Sequence, residues 1–239
     1  MSTHTVTFVG AGPGAADLIT LRGLKALQSA QAVLFDALID ASLLTHCSSD
    51  AILIDVGKRC GLGRSRPQDE INQLLVENGL AFERVVRLKG GDPSIFGRLD
   101  EEMSAVKAAG LNVEVVPGVT AALAAAAAAQ TPLTRRGVSR SVRLMTASVG
   151  QNQPHHAWDA HADANETMVF YMAGRQLQQI AHSLLDKGFS PNTPALIMQG
   201  VSWSNQSEQR TVLGQLADFG FELHDAPCVL LVGLALADK

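Results

Sequence analysis

The stretch Val85–Arg98 contains the residues whose order most strongly suggests chemistry, because a β-prone run breaks there at Gly90-Gly91-Asp92-Pro93. Two adjacent glycines permit backbone conformations that other residues avoid, and they let a ligand approach the main chain closely. Pro93 favours an extended Asp92, which places a carboxylate at the end of a predicted strand, where α/β sheets bind ligands. Glycine and proline also occur in ordinary strand–turn–helix loops, so this stretch alone is compatible with a ligand site and with a plain connection.

A second glycine turn, Gly10–Ala15 (GAGPGA), follows the predicted strand Thr5–Val9 and fits a dinucleotide-binding fingerprint. Asp36 ends the next predicted strand, where an acid that binds a ribose would lie. Pro13 argues against this interpretation, because it removes an amide from the turn that should hold a pyrophosphate. A dinucleotide-binding oxidoreductase therefore remains an alternative.

Other kinds of chemistry have weaker support. His155, His156 and His161 share one polar segment but have neither a cysteine partner nor helical spacing, so we predict no metal site. The sequence contains no G-x-S-x-G nucleophile motif and no P-loop. A net charge of −4 and an aromatic content of 5% argue against a nucleic-acid partner.

The cysteines and the apolar segments bear on the compartment. Cys47, Cys60 and Cys228 are an odd number of widely spaced cysteines, which predicts free thiols in a reducing environment. The chain runs directly into a strand with no secretory leader, and the alanine run Ala121–Ala129 is too short to span a bilayer. We therefore expect a soluble, cytoplasmic protein that does not enter a membrane.

The elements that must position these residues form two predicted domains. In residues 1–133, β-prone runs alternate with helical patterns, as in a parallel α/β sheet covered by helices. The runs are Thr5–Val9, Ala32–Phe35, Ala51–Val56, Arg84–Leu88 and Val113–Val116, and the main helical patterns are Asp17–Ala30, Pro67–Glu77, Glu101–Ala109 and the alanine run. A polar, basic linker begins at Thr134, and residues 134–239 predict a smaller, mixed α/β domain.

Taken in order, six segments resemble the tetrapyrrole (precorrin-type) methylases, and the resemblance runs from about Val6 to Leu234. The segments are VTFVGAGPGAADLITLRGLKAL, LFDALI, GKR, VVRLKGGDPSIFGR, VVPGVTAA and PLTRR. Within the family, they are most similar to the members that methylate uroporphyrinogen III. The resemblance implies two α/β domains with a cleft between them that binds S-adenosylmethionine. The donor then does not lie at the first glycine turn, which explains why that turn tolerates a proline.

Nine positions match the family's binding residues for S-adenosylmethionine. They are Pro13, Gly90, Gly91, Asp92, Ile95, Thr120, Ala121, Met172 and Gly200. Asp92 can accept hydrogen bonds from the ribose hydroxyls or the ammonium group of the donor, and Thr120 precedes a helix N-terminus that favours a carboxylate. Met172 also fits a core position, and its spacing alone would not single it out.

Asp36 and Lys58 match the positions that the family uses to handle protons. A carboxylate can take the proton that the ring system loses after methylation, and an ammonium can donate one during the rearrangement. The substrate implied by the resemblance carries eight carboxylates, which predicts cations around it. We assign four arginines to substrate binding, within a wider group of loop cations that includes Arg66, Arg87, Lys89 and Arg136. The four are Arg59, Arg64, Arg98 and Arg135.

The resemblance implies a homodimer that methylates uroporphyrinogen III at two ring positions, giving precorrin-2 by way of precorrin-1. Three alternatives stay open besides the oxidoreductase. They are a later precorrin methylase, a relative that modifies ribosomal RNA or a protein side chain, and a donor-binding regulatory module that is not an enzyme.

The sequence departs from the family pattern mainly on the predicted substrate side. Ser94 replaces an aromatic residue, Leu99-Asp100 replaces two glycines, Arg135 replaces a histidine, and Ser148 replaces the last residue of a TGH motif. The segment Cys60–Pro67 also lacks the usual histidine. These differences bear on the choice of substrate more than on binding of the methyl donor.

Overall fold

A computed structural model describes residues 3–57, 66–147, 162–218, 221, 223 and 225–237. The chain divides into two compact units, Met1–Thr120 and Ala121–Lys239. The predicted boundary between residues 133 and 134 lies further along the chain, because the alanine helix belongs to the second unit. In that unit, the Ala122 amide donates a hydrogen bond to the Tyr171 hydroxyl over 3.3 Å.

The first unit contains a five-stranded parallel sheet, as the alternating pattern predicts. Its strands are β1 (Thr5–Gly10), β2 (Ala32–Phe35), β3 (Ile52–Asp55), β4 (Arg84–Lys89) and β5 (Asn112–Val116). Their order in the sheet is β3-β2-β4-β1-β5, and every pairing is parallel. The carboxyl ends of all five strands therefore lie at one edge, which is where the candidate site residues follow the strands.

Helices cover both faces of this sheet. They are α1 (Leu21–Ser29), α2 (Gln68–Ala81) and α3 (Leu99–Ala108), with short 3-10 helices at Ala16–Leu18 and Ala41–His46. One face buries Phe8 and Leu34 against Leu75 of α2 and Val106 of α3. The other face buries side chains that include Leu27 of α1. Burial on both faces explains why β2 (AVLF) reads as a continuous apolar run.

Two helix boundaries differ from the sequence-based expectation. The Thr20 hydroxyl accepts a hydrogen bond from the Gly23 amide over 3.1 Å and so begins α1 at Leu21, whose side chain is 79% exposed. The helix thus starts four residues after the predicted start at Asp17, and Leu21 lies outside its buried face. Helix α2 continues past Gly79 to Ala81, and a Cβ at Gly79 would lie 2.6 Å from Leu111 Cδ1. This glycine permits close packing and does not end the helix.

The second unit has a mixed sheet, which confirms the prediction of a second α/β domain. It contains α4 (Ala121–Ala128), β6 (Ser141–Thr146), β7 (Glu166–Tyr171), α5 (Leu177–Asp186), β8 (Pro194–Gln199), β9 (Ser207–Val212), α6 (Leu213–Asp218) and β10 (Cys228–Val232). The strand order is β6-β7-β10-β8-β9, parallel between β6 and β7 and antiparallel elsewhere. Phe170, Ile180, Leu184 and Leu230 are central to its core. None of the helices that the structure describes combines the length and apolar character needed to cross a membrane.

Candidate functional site

Three loops meet at the carboxyl edge of the first sheet. They follow β1 and its two neighbours in the sheet, β4 and β5. The Gly91 amide donates to the Gly12 carbonyl over 2.7 Å, and the Gly12 amide donates back to the Gly91 carbonyl over 3.2 Å. Parallel strands bring these loops to the same edge, where ligands of α/β sheets bind. We call this meeting point, formed by Gly10–Gly12, Gly90–Asp92 and Pro117–Thr120, the loop junction.

Glycines at the loop junction have two different roles. A Cβ on Gly118 would overlap the Gly91 carbonyl oxygen and lie 2.8 Å from Gly10 Cα, so this glycine permits the loops to pack backbone against backbone. Gly91 has a φ of +69°, and no described residue comes within 4 Å of the position where its Cβ would be. The Cα of Gly91 therefore faces open space, which permits close approach of a ligand there, while its amide and carbonyl are bonded to Gly12.

The first glycine turn is not arranged to hold a pyrophosphate. The Gly12 amide is used within the loop junction, and Pro13 has no amide to offer. The turn leads into the three-residue 3-10 helix Ala16–Leu18, whereas a dinucleotide site places its phosphates at the start of a longer helix. This geometry argues against the dinucleotide-binding alternative.

The carboxylate of Asp92, which the sequence places at a strand end, joins two loops in the structure. Its Oδ1 accepts a hydrogen bond from the Ser94 amide over 2.8 Å and another from the Ser94 hydroxyl. Its Oδ2 accepts from the Gly118 amide over 2.9 Å. Aspartate side chains in turns commonly accept a hydrogen bond from the backbone amide two residues further along, and the Asp-Pro-Ser order could have indicated this bond. Because a carboxylate has about four acceptor positions, Asp92 retains capacity for a ligand donor.

The other predicted donor-binding residues of the first unit lie in the same loops. Ile95 follows Asp92 in a turn closed by a hydrogen bond of 3.1 Å from its amide to the Asp92 carbonyl. Pro13 lies beside Gly12, and Thr120 is a buried residue at the end of the loop that contains Gly118. The fold thus brings Pro13, Gly90, Gly91, Asp92, Ile95 and Thr120 to one edge, and Ala121 begins α4 directly afterwards.

In the second unit, Met172 and Gly200 lie at one sheet edge. They follow β7 and β8, which both run antiparallel to β10 and therefore end on the same side. Met172 is 52% exposed with a φ of +55°, so it does not fill a gap in the core. Gly200 has a φ of +52°, and its amide donates to the Pro227 carbonyl over 2.8 Å. A positive φ at Met172 is uncommon for a residue other than glycine.

Asp36 lies beside the loop that carries the two glycines. It follows β2, and its Oδ1 is 2.5 Å from Nη2 of Arg87. Its Oδ2 accepts from the Gly90 amide over 3.4 Å. The Asp36 side chain is 27% exposed. The structure therefore brings the predicted catalytic carboxylate next to the predicted donor loop.

Arg87 and Lys89 were expected among the loop cations, and this expectation is wrong. Both are buried on the face of β4 that α2 and α3 cover, where they contact Glu102 of α3. Arg87 Nη2 lies 3.1 Å from Glu102 Oε1, and Lys89 Nζ lies 2.9 Å from Glu102 Oε2. The side-chain amide Nε2 of Gln68 also donates to Glu102 Oε1 over 3.3 Å. We call Asp36, Gln68, Arg87, Lys89 and Glu102 the buried charge cluster.

The buried charge cluster changes the ionisation of its cations. Burial alone would lower the pKa of Arg87, but the carboxylates of Asp36 and Glu102 raise it above its usual value. Burial, together with the charge of Arg87, lowers the pKa of Lys89. The sequence analysis missed Glu102. A signal was available, because Arg87 and Lys89 alternate with apolar residues and so share one strand face that needs an anion.

The two predicted substrate arginines that the structure describes have partners within their own units. Arg98 has a φ of +55° and donates from Nε and Nη2 to the Glu101 carboxylate, each over 2.6 Å. This bond to Glu101 raises the pKa of Arg98. Arg135 donates from Nη2 to the Ala237 carbonyl over 2.6 Å. Several other predicted residues lie outside the described part of the chain: Lys58, Arg59, Cys60, Arg64, Ser148, His155, His156 and His161.

Comparison with known proteins agrees with this geometry. Residues 5–217 match the family described as Tetrapyrrole (Corrin/Porphyrin) Methylases. The chain therefore belongs to the tetrapyrrole methylase family, and the resemblance inferred from the sequence is confirmed.

Individual relatives are similar over nearly the whole chain. A Uroporphyrinogen-III C-methyltransferase from Pseudomonas aeruginosa is 43% identical over 234 residues, which are 98% of this chain and 94% of the relative. A Siroheme synthase from a Psychrobacter species is 40% identical over 97% of this chain, which spans only 48% of that longer protein. The crystal structure of Uroporphyrin-III C-methyl transferase from Thermus thermophilus, complexed with S-adenyl homocysteine, superposes with a TM-score of 0.82 at 33% identity. That match covers 97% of this chain and 98% of the other.

Proposed function

We propose that this chain is an S-adenosylmethionine-dependent C-methyltransferase that methylates uroporphyrinogen III at two ring positions, giving precorrin-2 by way of precorrin-1. The observation that carries the proposal is the loop junction, with its open backbone at Gly91 and the Asp36 carboxylate beside Gly90. The similarity of the whole chain to a named uroporphyrinogen-III C-methyltransferase supports the choice of substrate.

The loop junction fits a methyl donor that lies against the main chain. Gly91 offers an open backbone, and the Asp92 carboxylate is held in place by Ser94 and Gly118 with acceptor capacity to spare. In the first unit we assign Pro13, Gly90, Ile95 and Thr120 to the same ligand, and in the second unit Ala121, Met172 and Gly200. When bound, S-adenosylmethionine supplies an electrophilic methyl group on a sulfonium ion.

Asp36 is the proposed base. The electron-rich pyrrole carbon of the substrate can attack a methyl group without an activated nucleophile on the protein, so the chain mainly orients the reactants and removes a proton. Arg87 holds Asp36 Oδ1, and we assign Oδ2 to the proton that leaves the ring system. Lys58 is the proposed acid during the rearrangement.

Substrate binding is assigned to cations that can pair with carboxylates. The proposed residues are Arg59, Arg64, Arg98 and Arg135. The Glu101 carboxylate accepts from Nε and Nη2 on one edge of the Arg98 guanidinium, so a substrate carboxylate that uses this edge must displace this exposed partner. Exposed pairs of this kind contribute only about 0–1 kcal/mol, so the exchange is within reach of a multiply charged ligand.

The decisive experiment is an anaerobic assay of the purified chain with uroporphyrinogen III and S-adenosylmethionine. We expect a dimethylated product that becomes red-fluorescent on oxidation, with two methyl groups transferred per ring. Turnover of precorrin-2 but not of uroporphyrinogen III would instead indicate a later precorrin methylase. Donor binding without methylation of any tetrapyrrole would indicate a regulatory module, and nicotinamide-dependent turnover would indicate the oxidoreductase.

We also propose that the protein is a homodimer of a reducing, cytoplasmic compartment. Helix α4 exposes 57% of Leu123, an apolar side chain of the kind that a subunit contact would cover. The described cysteines, Cys47 and Cys228, are free thiols, which suits a reducing environment.

A further inference from the structure

Glu102 is buried in a way that a carboxylate rarely is. Its side chain is 1% exposed, and it accepts hydrogen bonds from three different side chains of the buried charge cluster. Buried charges of this kind persist only when they are paired, because removal from water is costly. The neighbouring Glu101 faces outward to Arg98, so only the second of these adjacent glutamates is involved.

The charges of the cluster balance. Arg87 and Lys89 are cations, and Asp36 and Glu102 are carboxylates, so the cluster is neutral when all four are ionised. Arg87 contacts both carboxylates, with Nη2 shared between Asp36 Oδ1 and Glu102 Oε1. Arg87, Lys89 and Glu102 are each at most 3% exposed, whereas Asp36 is 27% exposed. The cluster therefore reaches solvent at Asp36.

We infer that Glu102 is a positioning residue, which acts through Arg87 and Lys89 to keep the Asp36 carboxylate at the exposed end of the buried charge cluster. Glu102 accepts from Lys89 and from Nε and Nη2 of Arg87. The Leu34 and Leu88 carbonyls accept from Nη1. Among the described contacts, only Nη2 of Arg87 is directed at Asp36. The catalytic consequence rests on the role proposed above for Asp36.

Neutralising Glu102 should therefore move Asp36. In Glu102→Gln, two buried cations face a single remaining carboxylate, and Asp36 is drawn inward, away from the position where it meets the substrate. Replacing Lys89 by methionine as well removes the surplus cation and leaves one Arg87–Asp36 pair. The double variant Lys89→Met/Glu102→Gln is then neutral again, with Asp36 back in place.

The test compares turnover with donor binding for these variants. We expect Glu102→Gln to lower kcat about 10- to 100-fold, because small misplacements of a reacting group have effects of this size. Donor affinity should change less than about twofold, since Asp36 is not assigned to the donor. The double variant should recover most of the lost kcat, which a purely structural role of Glu102 does not explain. The matched control is Glu77→Gln, the same change at an exposed carboxylate of α2, which should leave kcat unchanged.

Three results would overturn the inference: an unchanged kcat in Glu102→Gln, a loss of donor affinity as large as the loss of kcat, or a double variant as slow as Glu102→Gln. If Glu102→Gln does not fold, Glu102→Asp moves the charge back by one methylene, and wild-type kcat in that variant would contradict the inference. Crystal structures of the variants decide the positioning role without any assay. Failure of the wild-type protein to methylate uroporphyrinogen III would contradict the proposed function but not the inferred positioning of Asp36. An Asp36 side chain that has not moved in the crystal structure of Glu102→Gln would contradict the inference, whatever the activity.

Discussion

At the scale of single residues, the Asp92 carboxylate links two loops of the site. Its contacts with Ser94 and Gly118 hold the loop after β4 against the loop after β5. The residue thus supports the loop junction and is also a proposed ligand of the donor. Ser94 adds a hydroxyl bond to the Asp92 carboxylate.

Replacing Asp92 by alanine should weaken donor binding by about 1.5–3 kcal/mol, because charge-assisted hydrogen bonds are lost at the site. Ser94→Ala removes only one hydroxyl bond to the same carboxylate and should weaken donor binding by about 0.5–1.5 kcal/mol. Calorimetric titration with S-adenosylmethionine measures both effects. Unchanged donor affinity in Asp92→Ala would show that this carboxylate has no part in the donor site.

Asp36→Asn keeps the shape of the side chain but removes the proposed base. Turnover should fall about 10²- to 10⁴-fold, the usual contribution of a positioned acid or base, with donor affinity nearly intact. Lys58→Ala should also lower turnover and should raise the KM for the tetrapyrrole, since one cation fewer faces its carboxylates. Asp50→Asn, at an exposed carboxylate, is the control. Loss of donor binding in Asp36→Asn, with none in Asp92→Ala, would reverse the two assignments.

At the scale of elements, the loop junction requires glycines, because the backbones that follow three strands pack directly against one another there. Gly118→Ala would force a methyl group into the Gly91 carbonyl, so the loops after β4 and β5 must separate. We expect a loss of about 1–3 kcal/mol in the free energy of unfolding, as overpacking usually causes, together with weaker donor binding. Gly137→Ala is the control for stability: it has a φ of +76° but no described residue within 4 Å, so only backbone strain applies. Urea unfolding measures the stability of both variants, and donor titration measures their affinity. Wild-type donor affinity in both variants would contradict the prediction.

Strand β10 begins with a thiol whose ionisation is coupled to folding. Burial raises the pKa of Cys228 from 9.0 to about 11. Between these two pKa values, the folded chain keeps the thiol proton and the unfolded chain loses it. The contribution of the protonated thiol to the free energy of unfolding is therefore fully present below pH 9 and is lost as the pH rises through 11. The shift corresponds to about 2–3 kcal/mol.

Urea unfolding from pH 8.5 to 11 tests this coupling in Cys228→Ala. The variant should lose about 2 kcal/mol less stability over this range than the wild-type chain. Cys47→Ala is the control, because the half-buried Cys47 thiol has a less enclosed environment and should give a smaller difference. Identical alkaline losses in the wild type and Cys228→Ala would contradict the assignment.

At the scale of the whole molecule, the homodimer prediction concerns the second unit. Light scattering at micromolar concentration should give twice the chain mass of 25.3 kDa. Leu123→Glu places a charge on the exposed face of α4 and should shift the mass toward that of a single chain. Leu21→Glu, at a still more exposed leucine of the first unit, should not. A single-chain mass for the wild type would contradict the prediction.

The sequence by itself determined the order of the strands and main helices of the first unit, the presence of a parallel and a mixed α/β region, and the family. These features depend on local patterns: β2 begins and ends at the predicted residues, and the glycine and proline turns stand where the strands end. The family could also be identified from the order of the motifs along the chain, because this order does not depend on which strands become neighbours in the sheet.

The tertiary structure alone decided what the polar side chains contact. Asp92 and Gly118 are separated by 26 positions, and Asp36 and Arg87 by 51, so no local pattern indicates that they form hydrogen bonds. Arg87 and Lys89 resembled loop cations until α3 placed Glu102 on their strand face. The physical reason is that a buried charge needs a partner, and only the packing of the elements determines which residue that partner is.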